Sequence, residues 1–179
     1  PNFLLKQIKK KNPNSSIILE RGSTHIKFQN DILKQEFQRF NLNFSIPKKI
    51  IDNEVKNYDF SDFISVPSNF VFNTFIENGI NQNKIILNPY GADLSKFYPT
   101  KSANKKFQII TTGTGSIRKG LFYVLESHKL IKHDFIHYHI GNMDIELTKF
   151  LKNYPKLIHI NSVNHDSLGN FYRNSDVFV

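Results

Sequence analysis

The sequence predicts an α/β fold with a parallel sheet covered by helices on both faces. The first observation is a regular alternation in the second half of the chain. Residues 107–111, 135–140, 157–160 and 177–179 are short apolar runs of strand length. Between them, 121–132, 145–154 and 165–174 carry apolar residues at helical spacing. Strands and helices joined by short loops in this order form parallel sheets. The second observation is the stretch Gly113-Thr114-Gly115-Ser116-Ile117-Arg118-Lys119-Gly120, which joins one such strand to one such helix. The third is a break: 98–106, with Pro99 and a lysine-rich tail, has no periodicity and reads as a linker. The chain is therefore divided into 1–99, a linker at 100–106, and 107–179.

The first half follows the same grammar. Residues 3–11 read as a helix with a basic end, stopped at Asn12-Pro13. Residues 16–19 form a short apolar run, followed by the polar turn Glu20-Arg21-Gly22-Ser23-Thr24-His25. A helix is predicted over 26–40, with Ile26, Leu33, Phe37 and Phe40 on one stripe and Thr24 or Ser23 as its cap. Ile50, Ile51, Val55 and Tyr58 recur at helical spacing over 48–60. Residues 63–66 read as a strand. Ser68 caps a helix with Val71, Phe72, Phe75 and Ile76 on its apolar face, and Gly79 stops it. A strand at 84–87 runs into the turn-rich Asn88-Pro89-Tyr90-Gly91-Ala92-Asp93.

Composition excludes several function classes. The 179 residues include no cysteine, so disulfides, thiolate chemistry and cysteine-ligated zinc are absent. No apolar run approaches the roughly 20 residues of a membrane-spanning helix. The net charge is +9, yet the basic residues are mostly lysines spread along the chain, with only four arginines. A nucleic-acid binder would carry a denser, arginine-rich stripe, so the charge argues against that partner. It suits a phosphorylated small molecule or an anionic membrane surface equally well. The start at Pro1 and the apolar run at Val179 suggest an internal piece of a longer protein.

The chemistry-bearing residues are few. Glycines allow a tight turn and a close approach of backbone to a ligand. A helix starting after such a turn offers free amides to an anion, and Arg118 and Lys119 add charge there. The glycine spacing is neither the dinucleotide fingerprint, whose third glycine is missing, nor the P-loop. An ordinary strand-to-helix turn with two solvated cations is the competing reading. His25, at a helix start after a strand, is a candidate acid, base or ligand contact. His137 and His139 alternate along one strand and face one side. With no carboxylate near them in sequence, packing under a helix is favoured over a metal pair. His128, His133, His159 and His165 show no constellation. There is no G-x-S-x-G elbow, no H-E-x-x-H and no calcium loop.

Several stretches, taken in order, resemble the retaining glycosyltransferases of family 4. These are Ser65-Val66-Pro67-Ser68, Asn88-Pro89-Tyr90-Gly91-Ala92-Asp93 with Phe97-Tyr98-Pro99, the glycine turn with Arg118-Lys119-Gly120, Ile140-Gly141, Asn161-Ser162-Val163, and 167–179. The resemblance covers nearly the whole chain. It implies a GT-B fold of two Rossmann-like, doubly wound parallel-sheet domains, each represented in part. Residues 1–99 would belong to the acceptor-side domain and 107–179 to the nucleotide-sugar donor domain. It also implies transfer of a sugar from a nucleotide-sugar donor to a glycan or lipid-linked acceptor, with no cofactor and no metal. Gly113, Gly115, Arg118 and Lys119 would hold the donor phosphates, Gly141 and Val163 would approach the nucleotide, and His25 would lie on the acceptor side. The family has a basic residue directly after its first glycine; here Thr114 stands there. Its paired glutamates would fall beyond Val179, and its N-terminal glycine loop before Pro1. Family habit places such a protein in the cytoplasm, at the inner face of the membrane.

Overall fold

A computed structural model describes residues 3–100 and 106–179. It divides into two compact units, Pro1–Gly91 and Ala92–Val179. Every strand pairing in both is parallel. The fold class is therefore the α/β one that strand–helix alternation predicts. Most of the expected linker lies outside the described residues.

The first unit carries α1 (Phe3–Lys11), β1 (Ile18–Glu20), α2 (Ile26–Arg39), α3 (Lys48–Phe60), β2 (Phe63–Val66), α4 (Asn69–Glu77) and β3 (Ile85–Leu87). The sheet order is β1-β2-β3. Its core is one apolar cluster: Ile26, Tyr58, Ile64, Val66, Val71, Phe75 and Ile85. Alternation along β2 does not apply, because Ile64, Ser65 and Val66 are all buried, as parallel strands covered on both faces require. Ser68 caps α4 by accepting a hydrogen bond from the Val71 amide at 3.3 Å. The cap of α2 differs from the sequence expectation. Neither Thr24 nor Ser23 caps it. His25 does, its Nδ1 accepting from the Lys27 amide at 3.3 Å.

The second unit carries β4 (Phe107–Thr112), α5 (Leu121–Ser127), β5 (Phe135–Ile140), α6 (Ile145–Thr148), β6 (Leu157–Ile160), α7 (His165–Arg173) and β7 (Val177–Phe178). The order is β6-β5-β4-β7. Two predicted helices are shorter than their periodicity suggests. The one over 121–132 breaks after Ser127 into the 3-10 turn His128–Leu130. The one over 145–154 breaks into α6 and the 3-10 turn Leu151–Asn153. In the first, the break directs His128 inward, with its ring edge on Phe135 at 4.9 Å. The residues after Gly91, read from the sequence with the first unit, pack on the second. The Phe97 ring meets His165 at 5.4 Å and Tyr172 at 5.9 Å, and Lys96 pairs with Asp166 at 3.1 Å.

At the amino ends of β4, β5 and β6 a single carboxylate joins three strands. Asp134 pairs with Lys106 at 2.9 Å and also with Lys156. Hydrogen bonds from Lys156 and Lys106 hold its carboxyl down to about 2. Among the described residues, no helix is long and apolar enough to cross a membrane.

Candidate functional site

Parallel α/β sheets bind ligands beyond the carboxyl ends of their strands. In the second unit, neighbouring strands bring three predicted site segments to that edge: Gly113 after β4, Gly141 after β5 and Val163 after β6. The first two loops cross. The Gly113 amide donates to the Ile140 carbonyl at 2.9 Å, the Gly115 amide to Asn142 at 2.7 Å, and the Asp144 amide back to Gly115 at 2.9 Å. Gly113 and Gly141 sit at φ +100 and +140, where a side chain is strained. A Cβ on Gly141 would lie 2.0 Å from the Gly113 carbonyl oxygen. A Cβ on Gly115 would lie 2.7 Å from His139 Nε2 and 2.6 Å from Leu121 Cδ2. Gly141 is thus demanded by backbone meeting backbone, Gly115 by side chains packed against it, and Gly113 by its φ.

This changes what the turn can offer. The amides of Gly113 and Gly115 are already bonded between the loops. Helix α5 does not follow the turn directly. A 3-10 turn, Ile117–Lys119, comes first, capped by Ser116 Oγ accepting from the Lys119 amide at 3.2 Å. Gly120 then reverses the chain at φ +73. The Arg118 and Lys119 side chains remain exposed, and neither forms an ion pair or side-chain hydrogen bond among the described residues. Charge, more than the glycine amides, is what this loop presents.

His25 lies in the first unit and is 2 % exposed. Its amide donates to Thr74 Oγ1 at 3.1 Å, and its ring packs on Tyr58 at 5.0 Å and Phe75 at 5.2 Å. Burial, helped by the nearby Lys27 and Arg21 charges, pushes its pKa down to about 4. With Nδ1 accepting from Lys27, the neutral ring carries its hydrogen on Nε2. Beside it, Arg21 pairs loosely with Glu54 at 3.9 Å and donates to Gln29 Oε1 at 3.2 Å.

Two histidines without a constellation in the sequence acquire one. His137 Nδ1 meets His128 Nε2 at 2.9 Å, and His137 Nε2 meets Thr111 Oγ1 at 2.8 Å. Thr111 Oγ1 also meets His139 Nδ1 at 2.9 Å. The His139 ring stacks on His159, 5.6 Å between centroids, and His159 Nε2 reaches the Gly141 carbonyl at 2.8 Å. Register places Thr111 opposite His139, and His139 opposite His159. One sequence signal existed: when the runs 135–140 and 157–160 are aligned by their ends, His139 falls beside His159. Among the described residues, no group of histidines and carboxylates could hold a metal ion.

The fold is that of Rossmann-like parallel-sheet proteins of the GT-B type. The chain superposes on the apo form of the lipopolysaccharide outer core galactosyltransferase WaaB with a TM-score of 0.56 and 12% identity, over 98% of this chain and 52% of that one. A second similar structure is a complex of S. aureus MnaA with UDP, with a TM-score of 0.44 and 12% identity over 98% and 54%. The chain spans about half the length of each. No protein-family model matches the sequence, and no curated protein matches it.

Proposed function

We propose that this chain is part of a glycosyltransferase that moves a sugar from a nucleotide-sugar donor to an acceptor hydroxyl with retention of configuration, in the synthesis of a surface polysaccharide or related glycan. The observation that carries the reading is the crossed pair of glycine loops at the carboxyl edge of the second sheet, with two unpaired cations beside it, in a chain of this fold. In such a transfer the leaving group is a nucleoside diphosphate, and negative charge builds on phosphate in the transition state. Lys119 and Arg118 stabilise that charge, while Gly113 and Gly115 hold the loop that carries them. Gly141 and Val163 let backbone approach the nucleotide. The first unit, 1–99 in the sequence division, serves the acceptor. There His25, neutral above about pH 4, offers Nε2–H as a hydrogen-bond donor and not as a general acid. The chemistry needs no cofactor beyond the donor substrate. The protein works in the cytoplasm at the inner face of the membrane, where lysines meet anionic lipid.

The test is a screen of nucleoside-diphosphate sugars with the whole protein that contains this chain, followed by Lys119→Ala. A lost charge-assisted hydrogen bond, roughly 1.5–3 kcal/mol, lowers kcat/KM about 10- to 150-fold. Unchanged kinetics for the variant would remove Lys119 from the donor site.

A further inference from the structure

We propose that His128, His137, Thr111 and His139 form a hydrogen-bond chain of single polarity that ends under the glycine loops, and that Thr111 and His139 are positioning residues for the loop crossing. The three links measure 2.9, 2.8 and 2.9 Å. The terminal nitrogens, His128 Nδ1 and His139 Nε2, are buried and make no hydrogen bond.

Counting hydrogens limits the chain to two states. A neutral imidazole carries one N–H and a threonine hydroxyl one O–H. Three rings and one hydroxyl supply four hydrogens. Each link takes one, so the fourth must sit on one of the two terminal nitrogens. In the first state every ring is Nε2–H and Thr111 donates to His139. In the second every ring is Nδ1–H and Thr111 donates to His137. A mixture puts two hydrogens, or none, into some link.

The surroundings differ at the two ends. His139 Nε2 lies against Gly115, where a Cβ would come within 2.7 Å. The Asn142 carbonyl of the neighbouring loop receives the Gly115 amide at 2.7 Å. At the other end the His128 ring rests edge-on against Phe135 and Tyr154. His159 is set separately: its partner, the Gly141 carbonyl, can only accept, so the neutral His159 ring is Nε2–H. His139 thus packs beneath Gly115, and His159 fastens the Gly141 carbonyl of the adjacent loop. Burial keeps the chain neutral: it pushes the pKa of His137 down to about 3 and lowers those of His128 and His139.

Nitrogen-15 NMR of the ring nitrogens in the 179-residue chain at neutral pH reads the tautomers directly. The expected result is one shared tautomer for His128, His137 and His139, all Nε2–H or all Nδ1–H. Finding the three rings in different tautomers overturns the single polarity. The positioning role is read by amide exchange. Thr111→Val keeps the shape and removes two links, so the Gly115 amide should exchange about 10-fold faster relative to the β4 amides, the equivalent of one hydrogen bond. Thr111→Ser should restore protection to within about 2-fold of the parent chain. Equal exchange in the valine variant and the parent overturns the positioning role. Neither readout involves a ligand, so its failure is distinct from failure of the donor assignment above.

Discussion

The two units solve the same architectural problem with opposite materials. The first fills the space beneath its helices with apolar groups, and its one deeply buried histidine is an end-cap wedged between Tyr58 and Phe75. The second threads a polar chain through the corresponding layer and places two positive-φ glycines, Gly113 and Gly141, just past its strand ends. An apolar core is tolerant in direction and intolerant of lost volume. A hydrogen-bonded layer is the reverse, because an orphaned buried group costs more than a missing methylene. The unit with the polar layer is also the one whose strand-end loops cross and bond each other.

Substitutions sharpen this contrast. Phe75 is fully buried, so Phe75→Ala should cost about 3–5 kcal/mol in chemical denaturation, with faster exchange confined to first-unit amides. Gly141→Ala should cost about 2–4 kcal/mol, combining strain at φ +140 with collision against the Gly113 carbonyl. Its effect should appear in the second unit. Equal responses of the two units to either change would erase the distinction.

Acid probes both units together. The folded pKa values of His25 and His137 lie at about 4 and about 3, against 6.5. As pH falls below 6.5 the unfolded chain takes up protons that the folded chain refuses. The stability due to these neutral rings is whole above pH 6.5. It declines by up to about 1.4 kcal/mol per pH unit for each residue, ending near pH 4 for His25 and near pH 3 for His137. Denaturation midpoints measured from pH 7 to 3 should follow this slope. His25→Gln should flatten it in the upper part of the window only. Smallest is Ser68→Ala, at about 1 kcal/mol, a loss that a thermal melt should resolve.

The sequence was most informative where pattern alone decides structure. The helix at 48–60, the strand at 63–66 and the Ser68 cap are local consequences of spacing and side-chain chemistry. The strand ends that gather Gly113, Gly141 and Val163 were legible from alternation. What escaped was tertiary. His25 displaced Thr24 and Ser23 as a cap because Thr74, from another helix, holds its amide. The helix from 121 stops early because His128 is drawn under the sheet to His137. Amide bonding between the two loops, which occupies the Gly113 and Gly115 donors, follows from strand adjacency that no single stretch encodes. The donor and acceptor roles came from motif resemblance and stand on the proposed experiments.

The strands of the second sheet are gripped differently at their two extremities. At one, crossed loops are fastened by backbone and by uncharged rings. At the other, Asp134 gathers Lys106 and Lys156 with all three side chains about half exposed. Ionic strength therefore reaches only one of them: at 1 M salt the screening length is about 3 Å. Brine slackens the far extremity, and the face turned toward the proposed donor keeps its shape.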